Sequence, residues 1–356
     1  MALPEALVRE MADQGRRIFV AEAGDETLGP LKMLPGIWKN TTELHGFGFN
    51  MIALPFAPGE NGYRLMMNQY NEELHFSIVD KGVPNRGFNA AVNPATVADQ
   101  TIVALDYDQK ITQIAADDFP KSGETEKFNG KPIHKEPGLW LYMTDQNVEG
   151  VNIARLGSIP HGDSVLAIGR AREQPFAGLP DPIIPRVNGV VVGGGTDPNE
   201  DDFPTPYFDP YRHFHATPFV GSVPIPGFAG FEPVDTTLLL RHVLQNVLTV
   251  IGDVKKTMVL QVDSTRDHAG IRNIPFIVRQ ANAAEMNSTF IIYEIEDKVT
   301  GSTRHFMQYV QNVILDFIGR PDGHPGRARW PHISINTMER IADHGDLDVK
   351  MRMVTE

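Results

Sequence analysis

The side chains of this sequence best suited to chemistry are histidines set in segments of alternating polarity. His332 stands in the run His332-Ile333-Ser334-Ile335-Asn336. A strand there puts His332, Ser334 and Asn336 on one face and the two isoleucines on the other. A neutral imidazole facing a cavity can ligate iron, take a proton as a base, or anchor a polar group of a ligand. The plain alternative is a hydrogen-bonded structural histidine. Purely apolar neighbours would suit a haem pocket better than Ser334 and Asn336 do. His134 and Glu136 share a face just before the aromatic run 138–144, a spacing that suits an acid–base pair. His75 and His45 would join them if their strands were neighbours.

Three further clusters carry chemistry-bearing residues. Gly157-Ser158-Ile159-Pro160-His161-Gly162-Asp163-Ser164 holds the residue types of a nucleophilic triad. It lacks a Gly-x-Ser-x-Gly elbow, and triad members come from separate elements. It reads instead as a hairpin turn whose side chains bond their own backbone, with His161 and Arg155 able to line a barrel mouth. His213 and His215 would point the same way in an extended segment and so could begin a metal site. Asp209 or Glu232 would be the third ligand if the loop folds back, and two exposed histidines in an aromatic-rich loop are the alternative. Gly193-Gly194-Gly195 is not a phosphate loop, because no Lys-Ser/Thr follows and Asp197, Glu200, Asp201 and Asp202 would repel phosphate. Arg86 in the turn Pro84-Asn85-Arg86-Gly87 could bind a carboxylate.

Composition narrows the chemistry. A formal net charge of −13 and the lack of any long basic run argue against nucleic acid and against an anionic membrane surface as partners. With no cysteine, thiolate catalysis, zinc–thiolate sites, disulfides and iron–sulfur clusters are excluded. Residues 1–23 are too charged for a signal peptide, and no apolar run reaches the length of a membrane span. These features lead to the expectation of a soluble, cytoplasmic protein. Self-association into a homo-oligomer is left open.

The elements that must position these residues are mostly strands. Leu74, Phe76 and Ile78 alternate with His75, Ser77 and Val79, and Leu139, Leu141 and Met143 alternate with Trp140 and Tyr142. Similar runs at 49–56, 63–70, 101–107, 110–116, 151–159, 164–170, 257–263, 274–280, 288–296, 303–315 and 332–338 are joined by Gly, Pro and Asn turns. Helical spacing occurs at 4–15 and at 235–250, the latter with Asp235 as N-cap and Leu239, Val243, Asn246 and Val250 along one face. The reading is therefore mainly β: antiparallel barrel or barrels with few helices and a long Pro/Gly-rich connection. It divides into an N-terminal helical arm (1–27), a first β-rich part (28–171), the Pro/Gly-rich stretch (172–234), a helix with a second β-rich part closing or extending the barrel (235–340), and a charged tail (341–356). The Pro/Gly-rich stretch is too aromatic for plain disorder and is expected to pack as a lid or between two halves.

Three stretches resemble the nitrobindin-like haem-binding β-barrels, which are lipocalin-like in shape. Leu34, Gly36 and Trp38 fit that family's opening Leu-x-Gly-x-Trp-x-Gly-x-Gly pattern, although about seven extra residues precede Gly46 and Gly48. Residues 150–169 look like its mid-barrel strands. Residues 308–317 and 330–340 are similar to its closing strands, where a His-x-x-x-Thr-x-x-Arg strand begins with the histidine that ligates haem iron. His332 takes that histidine's place; Asn336 lies on the same strand face, Thr337 faces the other way, and Arg340 follows. The resemblance implies a barrel holding haem, with His332 as iron ligand.

Two functional readings follow. One is a binding barrel for a small apolar or aromatic molecule, haem included, with Trp38, Trp140, Phe76, Met67 and Met143 as apolar wall, Arg155 at the mouth, and His332 as iron ligand or polar anchor. The other is a cofactor-independent isomerase, hydratase or lyase that uses His332, His161 and His134 as acid and base on a small hydrophobic substrate.

Overall fold

The computed structural model describes residue 9 and residues 18–55, 62–85, 88–89, 96–97, 100–144, 150–159, 161–175, 184–194, 197–199, 207–320 and 323–342. The helix expected at 4–15, apart from Arg9, lies outside these residues, as do Arg86, Gly195, Glu200, Asp201, Asp202 and the tail from 343.

Strict alternation of side chains lets each strand bury one face inside a closed sheet. The strands form a closed antiparallel barrel of ten positions. Its order is Gln100–Phe119, Pro132–Met143, Ile153–Ile159, Asp163–Gln174, Gly252–Asp263, Asn282–Asp297, Thr303–Gly319 and Arg327–Ala342. One position is then shared by Gly36–Lys39 and Gly48–Pro55, and Tyr63–Phe76 closes the ring on Gln100–Phe119. Strands from both β-rich parts of the sequence thus stand in a single barrel.

The shared position explains the inserted residues near Trp38. Lys39 lies opposite Glu73, and Gly48 lies opposite Tyr70 on the same partner strand. The chain therefore takes nine steps where its partner takes three. The surplus loops out through a short turn, Thr42–Leu44, which buries Leu44. Gln69 Nε2 holds the loop by donating to the Gly46 carbonyl at 3.0 Å. Gly48 lacks a side chain for a reason: a Cβ there would sit 2.4 Å from the Tyr70 ring.

One end of the barrel is packed solid. Leu28, Leu31 and Leu34, in and after the turn Glu26–Leu31, pack in one cluster with Trp38, Phe76, Trp140 and Met338. Trp38 Nε1 donates to the Leu34 carbonyl at 2.7 Å, so this buried indole carries no unmet polar group.

A second core lies on the outer wall. Phe49, Met67, Ile291, Ile333 and Ile335 face outward and are covered by described parts of the Pro/Gly-rich stretch, including Phe219, Phe228 and Phe231. The helical segment from Leu238 to Ile251 buries Leu239, Leu240, Val243, Leu244 and Leu248 against the same wall. A π-turn over Leu244–Leu248 shifts the buried stripe, leaving Val250 67 % exposed instead of on the buried face expected from a regular period. The described residues of the Pro/Gly-rich stretch thus clad the wall, and none of them lines the cavity described below.

The run 274–280, expected to be a strand, is helical over Pro275–Gln280. Proline at the first helical position pre-sets φ, and Ile274 in extended conformation opens the turn. Among the described residues, no helix is long and apolar enough to cross a membrane.

Candidate functional site

The end of the barrel opposite the packed one holds a cavity of about 450 Å³. His332, His134 and His161 all line it. They come from three different places: the last strand, the strand Pro132–Met143 and the hairpin tip between Ile159 and Asp163. The rings of His134 and His161 are 5.9 Å apart between centroids and inclined by 28°. His161 is exposed and stands at the mouth with Phe128, whereas His332 is deeper. Burial, and then the nearness of His134 and His161, push the His332 imidazole down to about 4. It is therefore uncharged at neutral pH. The same two causes, burial and His134, lower His161.

Below the histidines the floor is rich in amides. Asn68 lies opposite Asn50, Asn50 opposite Ser334, and Ser334 opposite Gln311, so one row of side chains crosses four strands. Asn68 Nδ2 donates to Asn50 Oδ1 at 2.7 Å, and the buried Asn68 Oδ1 has no partner among the described residues. Higher up, Ile52, Leu54, Met66, Ile111 and Ile133 make an apolar wall. Arg64 also lines the cavity, with Nε 3.0 Å from a carboxylate oxygen of the buried Asp118.

Two buried carboxylates back this floor. Glu136 Oε1 accepts from Arg155 Nη2 at 2.9 Å and from the Tyr107 hydroxyl, while Oε2 is 3.5 Å from His134 Nε2. Burial alone would raise the Glu136 carboxyl, but the Arg155 guanidinium and the hydrogen bonds of His134 and Tyr107 hold it at about 2. Gly157 makes this packing feasible, since a Cβ there would lie 2.5 Å from Glu136 Oε1. Glu72 accepts from Tyr309 at 2.6 Å, Gln109 at 2.7 Å and Asn336 at 3.0 Å. Its burial outweighs these three donors, so its carboxyl lies above the usual range.

Several residues expected at the site stand elsewhere. Trp38, Trp140 and Phe76 are inside the barrel, but in its packed end. Met67 faces outward, because its even-numbered neighbours Met66 and Asn68 take the inner face. Met143 ends its strand half-buried and away from the cavity. Arg155 is buried within the wall, tied to Glu136 and to Gln311 at 2.6 Å, not at the mouth. His75 lies beside Glu73, and His45 is exposed in the looped-out turn, so neither joins His134.

The pairing of His213 with His215 as metal ligands does not survive. The segment is a helix, Asp209–Ala216, in which residues two apart point to different sides. His213 stacks on Phe119 at 4.3 Å, and His215 bonds Glu232 at 2.9 Å. Among the described residues no group of three or more His, Asp or Glu is arranged to hold a metal ion.

The residues around His332 do not fit a haem. A neutral imidazole is the right donor for iron. A porphyrin ring, however, offers no hydrogen bonds to the amides of Asn50, Asn68, Gln109 and Gln311 that line the same cavity, and each polar group left unmatched would cost roughly 1–3 kcal/mol. The lining cation Arg64 already has Asp118 as its partner, which leaves it poorly placed for the propionates.

Sequence reasoning missed Glu72, Tyr309, Gln109, Gln311, Asn68 and Tyr107. A signal existed for some of them. Asn68, Tyr70 and Glu72 keep phase with Leu74 and Phe76, so polar groups stood on a face that is apolar further along.

No protein-family model matches the chain, and no curated protein matches its sequence.

Proposed function

We propose that this barrel binds a small organic molecule with an apolar body, taken into the cavity with its polar end toward His332 and the amide floor. The observation that carries this reading is the mixed lining of a cavity of about 450 Å³, with Ile52, Leu54, Met66, Ile111 and Ile133 as apolar wall and Asn50, Asn68, Gln109 and Gln311 as hydrogen-bonding floor. Small-molecule sites commonly have volumes of about 300–1,000 Å³ with a few convergent polar groups. His332, uncharged and half-buried, accepts or donates one hydrogen bond without the desolvation cost of an ion.

Native mass spectrometry of protein purified from cells tests this. An organic mass released on unfolding, and absent from Ile52→Trp, is expected. Retention of the same mass by a folded Ile52→Trp variant would place the molecule outside the cavity and remove the reading.

The contact of His134 with Glu136 at 3.5 Å favours a second reading, proton transfer on the same guest. Glu136 orients the ring, and His161 stands close enough to act as partner acid or base. Deuterium entering the guest in D₂O with the unaltered protein, but not with His134→Ala, supports catalysis. Equal exchange in both leaves only a carrier.

A further inference from the structure

The floor of the cavity carries a fixed pattern of donors and acceptors, and that pattern narrows the guest. Two glutamines are oriented by charged neighbours. Gln109 Nε2 donates to the Glu72 carboxylate at 2.7 Å, so its carbonyl oxygen is the group left over for the cavity. Gln311 Oε1 accepts from Arg155 Nη1 at 2.6 Å, so its NH₂ is the group left over. Glu72 takes donors from three side chains and a guanidinium can only donate, so neither amide can turn over without losing its bond. Asn68 adds a second acceptor, its Oδ1 being buried and without a partner among the described residues.

We propose that the floor selects a guest whose polar end is uncharged and both donates and accepts hydrogen bonds, a carboxamide, lactam or urea. This rests on the binding reading above. The N–H of such a group meets Asn68 Oδ1 and Gln109 Oε1, and its carbonyl meets the Gln311 NH₂. A carboxylate brings no donor, and the buried Glu72 and Glu136 behind the floor disfavour a further negative charge beside them. An alkylammonium brings no acceptor for Gln311. A plain hydrocarbon leaves all three groups unmatched.

Four probes with one common body separate these cases: 3-phenylpropanamide, 3-phenylpropanoate, 3-phenylpropylamine and propylbenzene, each titrated into the full chain near neutral pH by calorimetry or ligand-observed NMR. The amide is expected to bind about tenfold or more tighter than each of the others. Gln311→Glu keeps an acceptor for Arg155 and removes the N–H donor. It is expected to abolish the amide's advantage over propylbenzene while propylbenzene still binds, which certifies that the variant is folded. If propylbenzene matches the amide, or if either ion binds tighter, the inference is overturned and the binding reading stands. If none of the four binds up to millimolar concentration, the binding reading falls and takes the inference with it.

Discussion

Glu136 and Arg155 form an ion pair at 2.9 Å inside the barrel wall, with both side chains almost wholly buried, and the far oxygen of the same carboxylate faces His134 at 3.5 Å. One carboxylate thus ties the closed part of the interior to the cavity. Strands Pro132–Met143 and Ile153–Ile159, each supplying one partner, are neighbours in the sheet.

Breaking that pair on one side leaves an uncompensated buried charge. Glu136→Gln is expected to lower unfolding stability by about 3–5 kcal/mol. The double variant Glu136→Gln/Arg155→Met should recover part of the loss, because the stranded guanidinium is gone as well. Chemical denaturation of the three proteins measures both effects.

His332 makes stability depend on pH. Its folded value of about 4 lies below the ordinary histidine value of 6.5, so the unfolded chain binds more protons between those limits. The contribution is fully present above pH 6.5 and is lost as pH falls toward 4, to a total of roughly 3 kcal/mol. Replacing His332 by Leu should remove that slope. Denaturation midpoints of the two proteins at pH 7 and pH 4.5 are the comparison, and parallel losses in both would contradict it.

Added haem is expected to give no Soret shift that depends on His332. Absorption spectra of the unaltered protein and His332→Ala, each titrated with haem, provide the check. A sharp Soret band lost only in the variant would show that iron is held despite the amide floor.

The cladding on the outer wall is held by aromatic contacts. Phe49 lies 5.5 Å from Phe231, 5.7 Å from Phe228 and 6.1 Å from Phe219, ring centre to ring centre. Phe49→Ala should cost about 3–5 kcal/mol. It should also speed proteolytic cleavage within 219–231, while probe binding in the cavity on the inner side is unchanged. Limited proteolysis with mapping of the first cut distinguishes this from general unfolding.

Gly48→Ala should destabilise by roughly 1–3 kcal/mol, since its new methyl would meet the Tyr70 ring at 2.4 Å. The Tyr70 hydroxyl is 2.9 Å from that of Tyr309, so the variant should also weaken binding in the cavity. Thermal unfolding and probe titration read the two consequences.

Alternation is a local property, and what depended on it could be read from the residues. It marked most of the strands, their turns, and the common face of His332, Ser334 and Asn336. It could not say which face is inside. Strands such as Gly48–Pro55 and Tyr63–Phe76 are buried on both sides, by the barrel interior and by the Pro/Gly-rich cladding, so hydrophobicity no longer distinguishes Met66 from Met67. Local periodicity also failed at 274–280, where a proline-led helix reads as an apolar run. Tertiary structure alone brought His134, His161 and His332 to one cavity. It also turned Trp38 and Trp140 into packing and set Glu72 and Glu136 behind the floor. These outcomes depend on ring closure and strand register, which pair residues as far apart as Glu72 and Tyr309 and leave no trace in the spacing of either one.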